Sequence, residues 1–227
     1  MENSEPSIDQ IRALLEQLGV RRVDFFIGKL QDNSSNRPVY EDFLVEGEAA
    51  ATLAEYGFTV TMADRPDLKI QFADASFSAE AKHFRWKEKD QTDEENMKDA
   101  MAKGLLAQIG GIVEDGKQAW KQILEVAHRK AEQYCDSEPF VLIVRSSSPY
   151  NIGEIEVVTA RNEINDRVSS GQDQVFRKLN GFLFFDRDFN ISRKRSAYFY
   201  PTQYPNVRLD SRTLEALSSI CRQHKFF

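Results

Sequence analysis

Residues 65–84 read RPDLKIQFADASFSAEAKHF, and this stretch decides the fold. Leu68, Ile70 and Phe72 alternate with polar residues, which is the period of a half-buried strand. Residues 73–75 make a tight connection, and 77–84 form the next strand. Glu80 and Lys82 are two apart, so on a strand they project from the same face. Asp67 stands near the start of the preceding strand, just after the turn-forming Asp64, Arg65 and Pro66. Ala79, Ala81 and Phe84 surround the charged pair with small or apolar neighbours. A carboxylate and an ammonium beside a core carry a desolvation cost, which calls for a functional reason.

Outward from this stretch, the pattern before residue 57 has a different period. Residues 58–62 alternate as a further strand, while 39–56 form an alanine-rich helix. Pro38 suits its first turn, after a turn cluster at 33–36, and Gly57 stops it. Residues 8–18 predict an amphipathic helix with Ile8, Ile11, Leu14, Leu15 and Leu18 on one stripe and Gly19 at its end. Residues 23–30 are a mixed apolar stretch with no assignment. Downstream, 87–99 is a charged loop or the exposed start of a helix. Residues 101–112 and 118–134 are helical, the second with Trp120, Ile123, Leu124, Ala127 and Ala131 on one side. Residues 140–144 are almost wholly apolar between Pro139 and a serine run, the signature of a strand buried on both faces. Residues 181–185, Gly-Phe-Leu-Phe-Phe, are a second such run, with 197–200 as its pairing partner. Residues 211–222 read as a helix capped by Ser211. Neither an internal repeat nor a domain linker interrupts the chain, so 1–227 is read as one α/β domain.

Composition narrows the function classes. The 227 residues are 41% hydrophobic and 29% charged, the balance of an ordinary globular protein. No run of about 18 apolar residues exists, which excludes a membrane-spanning helix and argues against a membrane partner. The first ten residues, MENSEPSIDQ, are acidic and polar, unlike a secretory signal. Cys135 and Cys221 are too few for a disulfide scaffold and read as free thiols, so the expected location is cytoplasmic. His83, His128 and His224 are scattered, with no zinc-type spacing to a cysteine. Gly110-Gly111 lacks the following Lys-Ser/Thr of a phosphate-cradling loop, and no nucleophile elbow is present. The net charge is −6, yet from Arg177 onward there are 10 basic against 4 acidic residues. A basic last quarter on an acidic body suits either a solvated surface or a local footprint for an anionic polymer.

Two carboxylates converging from adjacent strands make a hard-oxygen site suited to Mg²⁺ or Mn²⁺. Such an ion polarises a phosphoryl oxygen and lowers the pKa of a bound water. A lysine within reach of that water orients the nucleophile and meets the charge developing on the phosphate. Asp67, Glu80 and Lys82 supply that set.

Pro66-Asp67, a spacer, then Glu80-Ala81-Lys82 resembles the core signature of the PD-(D/E)XK nuclease superfamily. The resemblance covers roughly 40–145. It implies the restriction-endonuclease-like fold: a helix, a strand meander carrying the motif on its second and third strands, a further helix and a buried fourth strand. The expected fold class is therefore α/β, a central mixed sheet flanked by helices, with a nuclease-like core at about 38–145 and residues 146–227 packed on it. The resemblance also implies Asp67 and Glu80 as metal ligands and Lys82 as the catalytic lysine. Many members add a glutamate on the first helix. Glu48 is the best match, with Glu55 and Glu41 on nearby turns as alternatives. Members often carry Gln or Lys on the helix after the motif, and Lys130 and Gln133, or Lys121 and Gln122, fit that place.

The expected activity is metal-dependent hydrolysis of phosphodiester bonds in nucleic acid, with DNA as the first choice. The alternative is a catalytically inactive nuclease-like module that binds nucleic acid or a protein partner. A homodimer is compatible with either. His83 points to the strand face opposite Lys82 and reads as packed or surface rather than catalytic. Trp86 and Trp120 read as packing residues. Arg187, Arg193, Lys194 and Arg195 precede Tyr198, Phe199 and Tyr200. That mix suits either a phosphate clamp with stacking platforms or a strand whose aromatics enter the core.

Overall fold

A computed structural model describes residues 6–85, 119–134, 136–146, 152–187 and 195–220. Three helices come first. α1 (Ile8–Gln17) is opened by a capping box in which Ser7 and Gln10 satisfy each other's backbone amides. α2 (Val23–Asp32) occupies the stretch left unassigned above, and buries Val23, Phe26, Ile27 and Leu30. Those four recur at i, i+3, i+4 and i+7, so the helical stripe was present but hidden among β-branched and aromatic residues. α3 (Arg37–Glu55) has Pro38 in its first turn, and Gly57 follows with φ +84°, a conformation that halts the helix.

The expected meander follows. β1 (Thr59–Met62), β2 (Leu68–Phe72) and β3 (Ala75–Phe84) are antiparallel neighbours. Ile70 faces Val60 on one side and Phe77 on the other. α4 (Ala119–Ala131) leads to β4 (Phe140–Ser146), which pairs parallel to β3. α5 (Glu154–Ser169) was not anticipated from the sequence, although Val157, Ala160, Ile164 and Val168 form its buried stripe. β5 (Leu179–Arg187) is parallel to β4, and β6 (Arg195–Pro201) returns antiparallel to it. α6 (Ser211–Ser219) closes the described chain. Its cap is Asp210 rather than Ser211: the Asp210 carboxylate accepts from the amides of Arg212 and Thr213.

The result is a mixed α/β structure whose six strands lie in the sheet in chain order, with helices on both faces. Strand alternation sorts the core into two halves. Val141, Ile143, Leu183 and Phe185 face α1–α3 and α6. Phe140, Leu142, Val144, Phe182 and Phe184 face α4 and α5. This explains why residues 140–144 of β4 and 181–185 of β5 carry no polar side chain, since neither face meets water there. Each fully buried phenylalanine contributes about 1.5–3 kcal/mol through the surface it removes from water. At Gly181 the sheet has no room for a side chain: a Cβ would lie 2.7 Å from the Tyr200 carbonyl oxygen and 2.8 Å from the Phe199 ring. Among the described residues, no helix is long and apolar enough to cross a membrane.

Phe199 packs into the first core half, while Tyr198 and Tyr200 pack against the second. The Tyr200 hydroxyl donates to Glu154 at 2.6 Å. Those aromatics are thus engaged within the fold, as the packing alternative required. The expectations for Trp86, Cys135, Cys221 and His224, for residues 87–99 and 101–112, and for Arg193 and Lys194 fall outside the described residues, as do the side chains of Arg187 and Arg195.

Candidate functional site

The turn between β1 and β2 is closed by a hydrogen bond from the Ala63 amide to the Asp67 carbonyl, 2.9 Å. This fixes Asp67 at the mouth of β2, one residue before the strand. β2 pairs with β3 no further than Leu68 opposite Ala79. Two residues along β3, the Ala81 amide is met by the Asp67 carboxylate, with Oδ2 accepting at 2.9 Å. The aspartate side chain therefore reaches across to the backbone between Glu80 and Lys82.

Glu80 stands level with Leu142 of β4 and Lys82 level with Val144. Both partners belong to the core half under α4 and α5, so Glu80 and Lys82 project toward α4, as their spacing predicts. The Glu80 side chain is 3% exposed. Lys130 of α4 donates to its Oε2 at 2.5 Å, and the Tyr134 hydroxyl donates to its Oε1. Burial raises the Glu80 carboxyl to about 7, the negative charge of Asp67 adds to the rise, and Lys130 opposes it. Lys82 is half-buried, and its charge reaches Asp42 at the far end of the strand.

A third acid joins from the other face of the sheet. Glu46 of α3 is 7% exposed. Burial pushes its carboxyl up to about 8, helped by the charges of Asp67 and Glu80 and opposed by Lys29 of α2. Lys29 Nζ lies 3.0 Å from Glu46 Oε2. The Lys29 ammonium is also 4.4 Å from the Phe43 ring centroid and 5.7 Å from that of Phe25.

Asp67 thus lies beside Glu80 on β3 and Lys130 meets Glu80 from α4, while of the glutamates on the first helix it is Glu46 that feels the charges of Asp67 and Glu80. Two residues along a helix are about 200° apart, so the two glutamates face different surroundings. Glu48 is 1% exposed and forms an ion pair with Arg145 of β4. Of the alternatives, Glu41 pairs with Arg37 at 2.7 Å, and Glu55 lies exposed near the end of α3. Gln133 and Lys121 are exposed, Gln122 is half-buried, and Lys121 sits 5.4 Å over the Trp120 ring. Glu46, Lys29 and Tyr134 were not singled out in the sequence. The last had a usable signal, since Tyr134 follows Lys130 by four residues and shares its side of the chain.

His83 lies on the α3 side, as expected, and is 8% exposed. Its Nδ1 stands 3.6 Å from Asp42 Oδ1, beyond hydrogen-bond range. Burial alone would raise the Asp42 carboxyl, but His83, Arg85 and the Lys82 charge hold it below its ordinary value.

Among the described residues, no three His, Cys, Asp or Glu side chains are gathered into a ready-made ion cage. Buried carboxylates that repel one another retain protons, and a divalent ion supplies the positive charge they lack. No family model, no curated protein and no solved structure matches the chain.

Proposed function

We propose that this chain is a divalent-metal-dependent nuclease of the PD-(D/E)XK type, hydrolysing phosphodiester bonds in nucleic acid, DNA in the first instance. The observation that carries the reading is the Asp67 carboxylate bridging from the mouth of β2 to the β3 backbone between Glu80 and Lys82. The order of α3, an antiparallel three-strand meander, α4 and a strand parallel to β3 supports the restriction-endonuclease-like form of the fold.

Asp67, Glu80 and Glu46 would hold Mg²⁺ or Mn²⁺; Glu46 takes the helix position first given to Glu48, because Glu46 is the helix acid that feels Asp67 and Glu80. When bound, the ion would polarise a phosphoryl oxygen and make a water more acidic. Lys82 holds and orients the attacking water from the same strand face as Glu80, and its ammonium offsets charge developing on the phosphate. Lys130 and Tyr134 fix the Glu80 carboxylate. Basic residues of the last quarter, Arg193, Lys194 and Arg195 among them, would contact backbone phosphates, which makes binding salt-sensitive.

The test is cleavage of single- and double-stranded DNA and RNA with Mg²⁺ or Mn²⁺. Glu80→Gln and Lys82→Ala should each slow cleavage by about 100-fold or more; cleavage that neither substitution alters would reject the assignment. A second reading, an inactive module that binds nucleic acid or a protein, draws on the engagement of both Glu80 oxygens by Lys130 and Tyr134. Nucleic-acid binding without any Mn²⁺ affinity would favour it.

A further inference from the structure

A cavity of about 300 Å³ lies between the second half of α5 and the chain just after β6, lined by Asn162, Asn165, Asp166, Ser169, Gln203 and Tyr204. Its size suits a small ligand, and every lining side chain carries a polar group. Both walls are held in place. α5 is anchored by its buried stripe, and on the other side the Thr202 amide donates to the Asn180 carbonyl at 3.0 Å. Asn165 is 6% exposed, and its Oδ1 accepts from the Gln203 backbone amide at 2.9 Å. A backbone N–H requires an acceptor, so this bond fixes which end of the carboxamide is the oxygen. The Nδ2 end has no hydrogen-bond partner among the described residues and is not sealed in the interior, so its N–H groups open into the cavity. The adjacent Asp166 brings a carboxylate that no donor or cation engages among the described residues. Asp166 is also the only charged residue in this described lining, which disfavours a phosphate or a carboxylate as the ligand.

We propose that this cavity binds an unpaired guanine base. Guanine presents an acceptor, O6, beside two donors, N1–H and the 2-amino group. The Asn165 amide donates to O6, and the Asp166 carboxylate accepts from both donors. The Tyr204 ring, 40% exposed, supplies a face on which the base stacks. Other bases match less well on the same edge. Adenine turns its N1 acceptor toward the carboxylate, cytosine turns N3 and O2, and thymine offers one donor only. Because the pairing edge is the one recognised, a base in a duplex is excluded. The proposal goes beyond the nuclease reading: none of these residues belongs to the metal centre, and a guanine site does not require cleavage.

The experiment titrates the full chain, without metal, with 2′-deoxyguanosine, deoxyinosine and deoxyadenosine, followed by nitrogen-15 NMR of the side-chain amides. Deoxyguanosine should shift the Asn165 amide signal and bind about tenfold or more tighter than deoxyadenosine. Deoxyinosine, which lacks the 2-amino group, should fall between them. Asp166→Asn, at an exposed side chain, should abolish the preference. Asn165→Asp keeps an oxygen for the Gln203 amide but loses the donor, and should abolish guanine binding. If it does not fold, as checked by circular dichroism, Tyr204→Ala replaces it and should weaken binding about tenfold. No binding of deoxyguanosine, equal binding of deoxyguanosine and deoxyadenosine, or a preference unchanged in Asp166→Asn would overturn the site. A second arm compares oligodeoxyadenylate with the same strand carrying one central guanine. Tighter binding of the guanine strand, lost in Asp166→Asn, assigns the site to a base within a strand; a preference seen with the nucleosides alone assigns it to a free guanine nucleoside.

Discussion

Replacing Glu46 with glutamine should make the metal-free protein more stable at alkaline pH and remove part of its pH dependence. In the fold, burial first and then the charges of Asp67 and Glu80 lift the Glu46 carboxyl from its ordinary 4.5 to about 8, against the pull of Lys29. The folded chain therefore keeps a proton that the unfolded chain releases. Its contribution is fully present below the unfolded value, declines as pH rises, and is gone above the folded value. A shift of roughly 3.5 units at about 1.4 kcal/mol each sets a ceiling of about 5 kcal/mol. The substituted glutamine is uncharged at every pH but leaves Lys29 without its carboxylate, so the expected gain over wild type at pH 8 is about 2–4 kcal/mol. Glu80, raised to about 7, gives both proteins a slope of the same sign. Asp42, held below its ordinary value, stays ionised throughout this window and adds none. Urea unfolding with a chelator at pH 5, 6, 7 and 8 measures the effect. The two proteins should nearly coincide at pH 5 and separate steadily toward pH 8. Wild-type stability that is level or rising over that range, or two parallel curves, would refute the argument.

Four further outcomes test the fold and its charges. Gly181→Ala should destabilise the protein by about 1–3 kcal/mol in urea, because the new Cβ meets the backbone of β6, which cannot step aside as a side chain could. Arg145→Met should cost about 3–5 kcal/mol by removing a cation from the buried Glu48 carboxylate. Mn²⁺ affinity should distinguish the two helix acids, falling about tenfold or more in Glu46→Gln and changing little in Glu48→Gln. Asp210→Ala should lower the melting temperature by about 2–4 °C, and Ser211→Ala should leave it unchanged, since the cap of α6 is the aspartate.

Local chemistry made much of the fold legible. Gly19 and Gly57 ended helices, Pro38 opened one, and the two apolar runs became the central strands β4 and β5. α2 and α5 escaped the reading for different reasons. α2 is rich in aromatic and branched residues that suit a strand equally well. α5 mixes its apolar stripe with asparagines and charges, so its period is faint. The cap of α6 was misplaced by one residue, as happens when Asp and Ser stand side by side and either side chain can do the work.

At the candidate site, the residues along β3 and the turn before β2 were readable because strand geometry ties side-chain direction to sequence parity. Glu80 and Lys82 had to share a face, and Asp67 had to stand at a strand mouth. Parity does not extend across helices packed from elsewhere in the chain. Whether Glu46 or Glu48 meets the meander depends on how α3 is rotated against the sheet, and that rotation is set by packing of β3, β1, α1 and α2 around it. Lys29 and Tyr134 are likewise decided by where α2 and the end of α4 dock. The amino-acid order thus determined the strands and their inward-facing charges through short-range periodicity, while the partners that neutralise those charges were chosen by long-range packing, which no local pattern encodes.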